Sequence, residues 1–122
     1  MFEVTYAADV AGGDPGAWGN TRLGAGPTVF QGPTIHPAVA AGLRAAAAET
    51  GIAVTLEAGD NTWSDSEDVQ EALAGVPVGL VSVPLRYMHT PHEIVQLSDV
   101  EAASRLVEAY VRALPLDASF LR

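Results

Sequence analysis

Apolar and polar positions along the chain fall into short strand-length and helix-length blocks. Phe2 to Ala7 is rich in β-branched and aromatic residues and predicts a strand, interrupted by the carboxylate of Glu3. Asp9 to Gly26 is dense in Gly, Asp, Asn and Pro and predicts a long irregular loop. Pro27 to Gln31 predicts a second strand. His36-Pro37 then opens a helix to about Thr50: Pro at the first helical position loses no hydrogen bond, and Gly51 closes the helix. Ile52 to Ala58 alternates and predicts a strand. Ser64 and Glu67 have the spacing of a capping box ahead of a helix ending at Gly75, and Val78 to Val83 predicts a buried strand. A second capping box, Ser98 with Glu101, precedes a closing helix whose apolar stripe is Val100, Ala103, Val107, Tyr110, Val111 and Leu114.

Strands alternating with helices predict an α/β fold, a largely parallel or mixed sheet flanked by helices. No segment recurs and no linker divides the chain, so residues 1–122 are expected to form a single domain. The chain is 48% hydrophobic and 17% charged, which suits a packed core. Its apolar runs fall well short of the ~20 residues of a membrane span, and the amino end lacks the basic region of a secretory signal. Without cysteine, disulfides and thiolate metal sites are excluded. A cytoplasmic protein that does not enter membranes is the expectation.

Charge narrows the partners. Six Lys plus Arg stand against fifteen Asp plus Glu, a formal net charge of −9. Arg22, Arg44, Arg86, Arg105, Arg112 and Arg122 are dispersed, so nothing resembles the basic surface that phosphate backbones require, and no nucleic-acid partner is expected.

Three histidines and several carboxylates could carry chemistry. His89 follows Val-Pro-Leu-Arg-Tyr-Met just past the buried strand, where α/β sheets commonly place ligand sites. Imidazole there is either a metal ligand or a loop histidine. His36 reads as a helix-start residue, and His92, beside Glu93, as solvated. Glu3 either faces solvent or enters a site, and Asp9 reads as a loop carboxylate satisfying backbone donors. Around the helix start at Ser64, Asp60, Asp65, Glu67 and Asp68 are explained largely by the helix dipole, Asp65 least so. No phosphate-binding loop, Gly-x-Ser-x-Gly turn or His-Glu-x-x-His motif occurs.

The chain resembles, from Phe2 to the closing helix, the C-terminal portion of the glutamyl aminopeptidase and tetrahedral deblocking aminopeptidase family, some members of which are labelled endoglucanases. The anchors are Phe2-Glu3-Val4-Thr5-Tyr6-Ala7-Ala8-Asp9, the Gly-Pro in the second strand, His36-Pro37, Ser64-Asp65, Ala74-Gly75-Val76-Pro77 and, most specific, Val83-Pro84-Leu85-Arg86-Tyr87-Met88-His89-Thr90-Pro91. The resemblance implies a partial zinc-peptidase-like (phosphorylase/hydrolase-like) catalytic domain. It implies that Glu3 and His89 are ligands to two different divalent metals of the zinc or cobalt class. It also implies that Asp65, Arg86 and Tyr87 contribute to substrate binding, although Thr62 and Trp63 replace the glycines that usually precede the Asp65 motif.

Complete members carry an upstream His-x-Asp pair and a Glu-Glu pair that includes the general base. None of the three histidines here is followed two residues later by Asp, and no Glu-Glu occurs. No catalytic base is therefore expected within this chain. The resemblance implies a part of a dinuclear aminopeptidase acting on peptides, inactive alone. A non-catalytic binding or assembly subunit, or one half of a split enzyme, are the alternatives. An apolar strand edge left bare by a missing upstream half predicts a homo-oligomer.

Overall fold

The computed structural model describes residues 1–60, 62–73 and 75–121. Its elements are β1 (Phe2–Tyr6), α1 (Pro15–Trp18), β2 (Thr28–Gln31), α2 (Pro37–Thr50), β3 (Thr55–Ala58), α3 (Ser66–Glu71), β4 (Val81–Arg86), β5 (Ile94–Val95) and α4 (Leu97–Ala113). The strands form one mixed sheet in the order β1-β4-β2-β3, with β5 also paired to β4. β1 runs parallel to β4 and β2 parallel to β3, while β2 and β5 are antiparallel to β4. The expected α/β sheet flanked by helices is the architecture found.

The sheet has two unlike faces. Directly paired residues project to the same side, and Val29 lies opposite Val81. With Val83 these side chains meet α2 through Val39, Leu43, Ala46 and Ala47, and α4 through Ala103 and Leu106, to form the main core. The other face presents Glu3 and Thr5 of β1, Ser82 of β4, Thr28 and Phe30 of β2 and Glu57 of β3, which the registers Glu3–Ser82, Thr28–Ser82 and Phe30–Glu57 place together. A smaller cluster of Phe30, Ile35, Ala40, Val78 and Leu80 packs beside it.

Several boundaries differ from the sequence expectation for identifiable reasons. The loop Asp9–Gly26 contains α1, whose amino end is capped by the Asp14 carboxylate accepting the Gly16 N–H at 2.8 Å. The apolar run Val78–Val83 is buried, but the ladder begins only at Val81 and continues through Pro84 to Arg86. Val78 and Leu80 instead use their carbonyls on the His36 and Phe30 N–H groups. The strand expected from Ile52 is regular only from Thr55; Ile52 and Val54 pack on the core without laddering.

Neither capping box forms as expected. Glu67 accepts from the Thr62 N–H and hydroxyl, reaching out of the helix, and α3 ends at Glu71 rather than Gly75. α4 starts at Leu97, so Ser98 lies within its first turn and no side chain caps it. Its buried stripe is centred on Asp99, Ala103 and Leu106, while Val100 and Val111 are 44% and 58% exposed. His36 does begin α2, accepting the Ala38 N–H on Nδ1 at 3.2 Å. Among the described residues no helix is long and apolar enough to cross a membrane.

Candidate functional site

The face of the sheet opposite α2 and α4 opens into a cleft of about 1010 Å³. β1 lines it through Glu3, Val4, Thr5 and Tyr6, and strand alternation puts the Glu3 carboxylate and Thr5 hydroxyl on the side of Ser82 and Thr28. Glu3, which interrupts an apolar strand in the sequence, is half-buried together with Thr5, whereas Phe2 and Val4 are 52% and 46% exposed. His89 reaches the same cleft from the turn after β4. Two residues far apart in sequence therefore share one surface because β1 and β4 are neighbours running in the same direction.

An aromatic wall stands at the cleft's end. Tyr6, the last residue of β1, stacks on Trp18 of α1 with ring centroids 5.2 Å apart and an interplanar angle of 18°. On its other side Tyr6 meets the His89 imidazole edge-on at 6.2 Å. The short helix within the expected loop therefore supports the histidine through a tyrosine.

Glu57 is a cleft residue that sequence reasoning passed over. Its Oε1 accepts the Thr5 hydroxyl at 2.7 Å and its Oε2 the Thr28 hydroxyl at 2.8 Å, tying β1, β2 and β3 across the open face. A carboxylate inside an alternating strand is the same signal that marks Glu3, and it was available in Thr55-Leu56-Glu57-Ala58. Asp60 also lines the cleft.

The remaining candidates sit around the cleft rather than in its lining. Arg86 forms a two-pronged ion pair with Asp9, Nε to Oδ1 at 3.1 Å and Nη2 to Oδ2 at 2.6 Å. The Arg86 guanidinium holds the Asp9 carboxyl below the usual carboxylate range, and Asp9 raises the arginine in turn. Asp9 is thus an ion-pair partner, more than the loop carboxylate expected. Tyr87 is about half exposed, with a left-handed backbone at φ 59°. Asp65 caps no helix donor with its side chain; its neighbour Ser64 lines the cleft instead. His92 is exposed, as expected.

The donor set tests whether a divalent metal fits. Among the described residues no three His, Asp or Glu side chains are grouped closely enough to hold a metal ion. Glu3 and His89 offer one carboxylate and one imidazole, two short of the four ligands that zinc commonly takes. The residues of this chain therefore do not fit a complete metal site.

Comparison with known proteins agrees with the fold. The chain is 31% identical over 98 residues to lysyl aminopeptidase of Pyrococcus furiosus, covering 79% of this chain and 28% of that protein. Among solved structures it superposes on an aminopeptidase from the archaeon Desulfurococcus kamchatkensis with a TM-score of 0.83 at 32% identity, covering 93% of this chain and 33% of that one. It also superposes on a TET aminopeptidase from a marine-sediment Thaumarchaeota archaeon with a TM-score of 0.86 at 25% identity, covering 95% and 33%. The chain spans about a third or less of the length of these relatives. The M42 glutamyl aminopeptidase family matches residues 2–106, and the chain belongs to that family.

Proposed function

We propose that this chain is the C-terminal part of an aminopeptidase catalytic domain, supplying one wall of the cleft in which peptides lose their N-terminal residues. The observation that carries this reading is the convergence of Glu3 and His89 on one open cleft, combined with the family match over residues 2–106. Glu3 and His89 are proposed as donors to divalent metals of the zinc or cobalt class, with the remaining donors and the general base lying outside these 122 residues. Only with those partners does a two-metal site become capable of activating water. Asp65 and Tyr87 are proposed as substrate contacts at the cleft margin, beside the lining residues Ser64 and Met88. Arg86 acts there by fixing the strand end.

The reading of the chain as inactive by itself rests on its sequence, in which no histidine is followed two residues later by Asp and no Glu-Glu pair occurs. The same sequence fits the second reading, a non-catalytic subunit. Phe2 and Val4, exposed on an edge strand, support association with another polypeptide, whether a second copy or the missing part of the domain. The test is an aminoacyl reporter assay on the purified chain with added zinc or cobalt. Background hydrolysis is expected, and turnover at ordinary enzymatic rates of ~1–10³ s⁻¹ would overturn the proposal.

A further inference from the structure

We propose that Glu93 is a positioning residue for His89, its carboxylate holding the strained turn after β4 so that the imidazole stays against Tyr6 in the cleft. The inference rests on the reading of His89 as a site residue but concerns only how this chain holds it.

The turn is unusual in its backbone. Tyr87 has φ 59° and His89 φ 66°, two side-chain-bearing residues in the left-handed region within three positions. That conformation costs free energy for any residue except glycine, and it persists where surrounding structure over-determines it. Glycine at position 89 would relieve the strain and remove the ring, so the strain is retained together with the imidazole.

Local bonds define the turn without reaching His89. The Thr90 N–H and hydroxyl both donate to the Tyr87 carbonyl, at 3.1 and 2.7 Å, and the His92 N–H donates to the Thr90 hydroxyl at 3.3 Å. The bond that reaches His89 is from its own N–H to Glu93 Oε1, at 2.7 Å. This is a short, charge-assisted contact.

The position of Glu93 is itself fixed. β4 and β5 form an antiparallel pair with Arg86 opposite Ile94 and Leu85 opposite Val95, so Glu93 is the last residue of the connecting loop before the ladder resumes. On the other side of the loop, Arg86 is clamped to Asp9. His89 is suspended between two anchored ends, and the carboxylate at one of them reaches back four residues to set its peptide plane. Both Glu93 and His89 are exposed, so this bond contributes little to global stability. Its effect lies in where the ring points.

The experiment is NMR on the full chain, following contacts between the Tyr6 and His89 rings, the His89 ring-proton shifts and the exchange rate of the His89 amide. In Glu93→Ala the Tyr6–His89 contact is expected to disappear, the ring protons to move toward unstructured values, and the amide to exchange about tenfold faster. The melting temperature should stay within about 3 °C. Glu93→Gln, whose amide oxygen accepts the same N–H, should retain the wild-type contact. Glu93→Asp, one methylene shorter, should lose it, and this variant decides the matter if the alanine variant unfolds. A wild-type contact in Glu93→Ala or Glu93→Asp, or its loss in Glu93→Gln, would overturn the proposal. The donor reading is judged separately, with the chain combined with the upstream part of a family member's domain: zinc-dependent activity undiminished by His89→Ala contradicts that reading and leaves the positioning result intact.

Discussion

Arg86 and Asp9 close the ends of the two parallel strands that matter most. Arg86 is the last residue of β4 and Asp9 lies three residues past β1, and both guanidinium contacts fall on the two oxygens of one carboxylate. β1 carries Glu3, and β4 leads directly to His89. The pair therefore fixes the frame on which the proposed donors sit, and Arg86 serves the cleft from behind.

Asp9 should leave its mark on acid stability. Its folded pKa is lowered, chiefly by the hydrogen bond from Arg86. A depressed carboxylate stabilises the fold above its unfolded value of roughly 3.9, and that contribution is lost as pH falls through the lower folded value. Denaturation measured from neutral pH downward should show stability declining below roughly pH 4. Asp9→Asn should be less stable at neutral pH and should show a shallower decline in acid. An unchanged acid limb in that variant would contradict the assignment.

Asp99 holds the long glycine-rich loop to α4. It is 2% exposed and accepts the Gly24 N–H at 2.7 Å and the Gly26 N–H at 3.1 Å. Removing the carboxylate leaves the buried Gly26 N–H without its partner, a cost of about 1–3 kcal/mol, while the exposed Gly24 N–H turns to water. Asp99→Ala should be destabilised by at least that amount in urea unfolding, with faster amide exchange at Gly24 and Gly26. Gly26→Ala should fail more severely. Its φ is +87° and an added Cβ would lie 2.0 Å from the Ala53 carbonyl oxygen, which cannot move aside without shifting the chain.

Leu106 and Val100 separate core from surface on one helix. Leu106 is wholly buried between the sheet and α2, while Val100 is 44% exposed. Leu106→Ala should cost about 2–5 kcal/mol, and Val100→Ala within roughly 0.5 kcal/mol. Similar losses for the two in urea unfolding would contradict the helix orientation.

Much of the fold was legible because periodicity is local. The Pro37–Thr50 helix, its His36 start and its Gly51 end are written in adjacent residues. The stripe on α4 was misread by about one position because Asp99, a buried acid, breaks the apolar pattern and counts as surface in any hydropathy reading. The offset of β4 from the run Val78–Val83 has a different cause: burial makes residues apolar whether or not they ladder, and pairing with β1, β2 and β5 decides which do.

The site was legible only in part. Glu3 and His89 stood out by resemblance, and their meeting on one face depends on β1 lying beside β4, which no local window contains. Glu57 was missed because its partners, Thr5 and Thr28, come from other strands. Trp18 was hidden in a stretch whose glycines and prolines suggested only a loop, although Asp14-Pro15 carries an ordinary helix-start signal.

On the proposed function, this chain forms one wall of an aminopeptidase cleft and works only with the rest of the domain. The most direct test combines the chain with the separately produced upstream two thirds of a family member and measures zinc- or cobalt-dependent release of N-terminal residues from a peptide. The expected result is activity in the mixture alone, reduced at least a hundredfold by His89→Ala or Glu3→Ala, on the order of the loss seen when metal-ligand geometry fails. Equal activity with either variant in the mixture, or full activity from the chain by itself, would contradict the account.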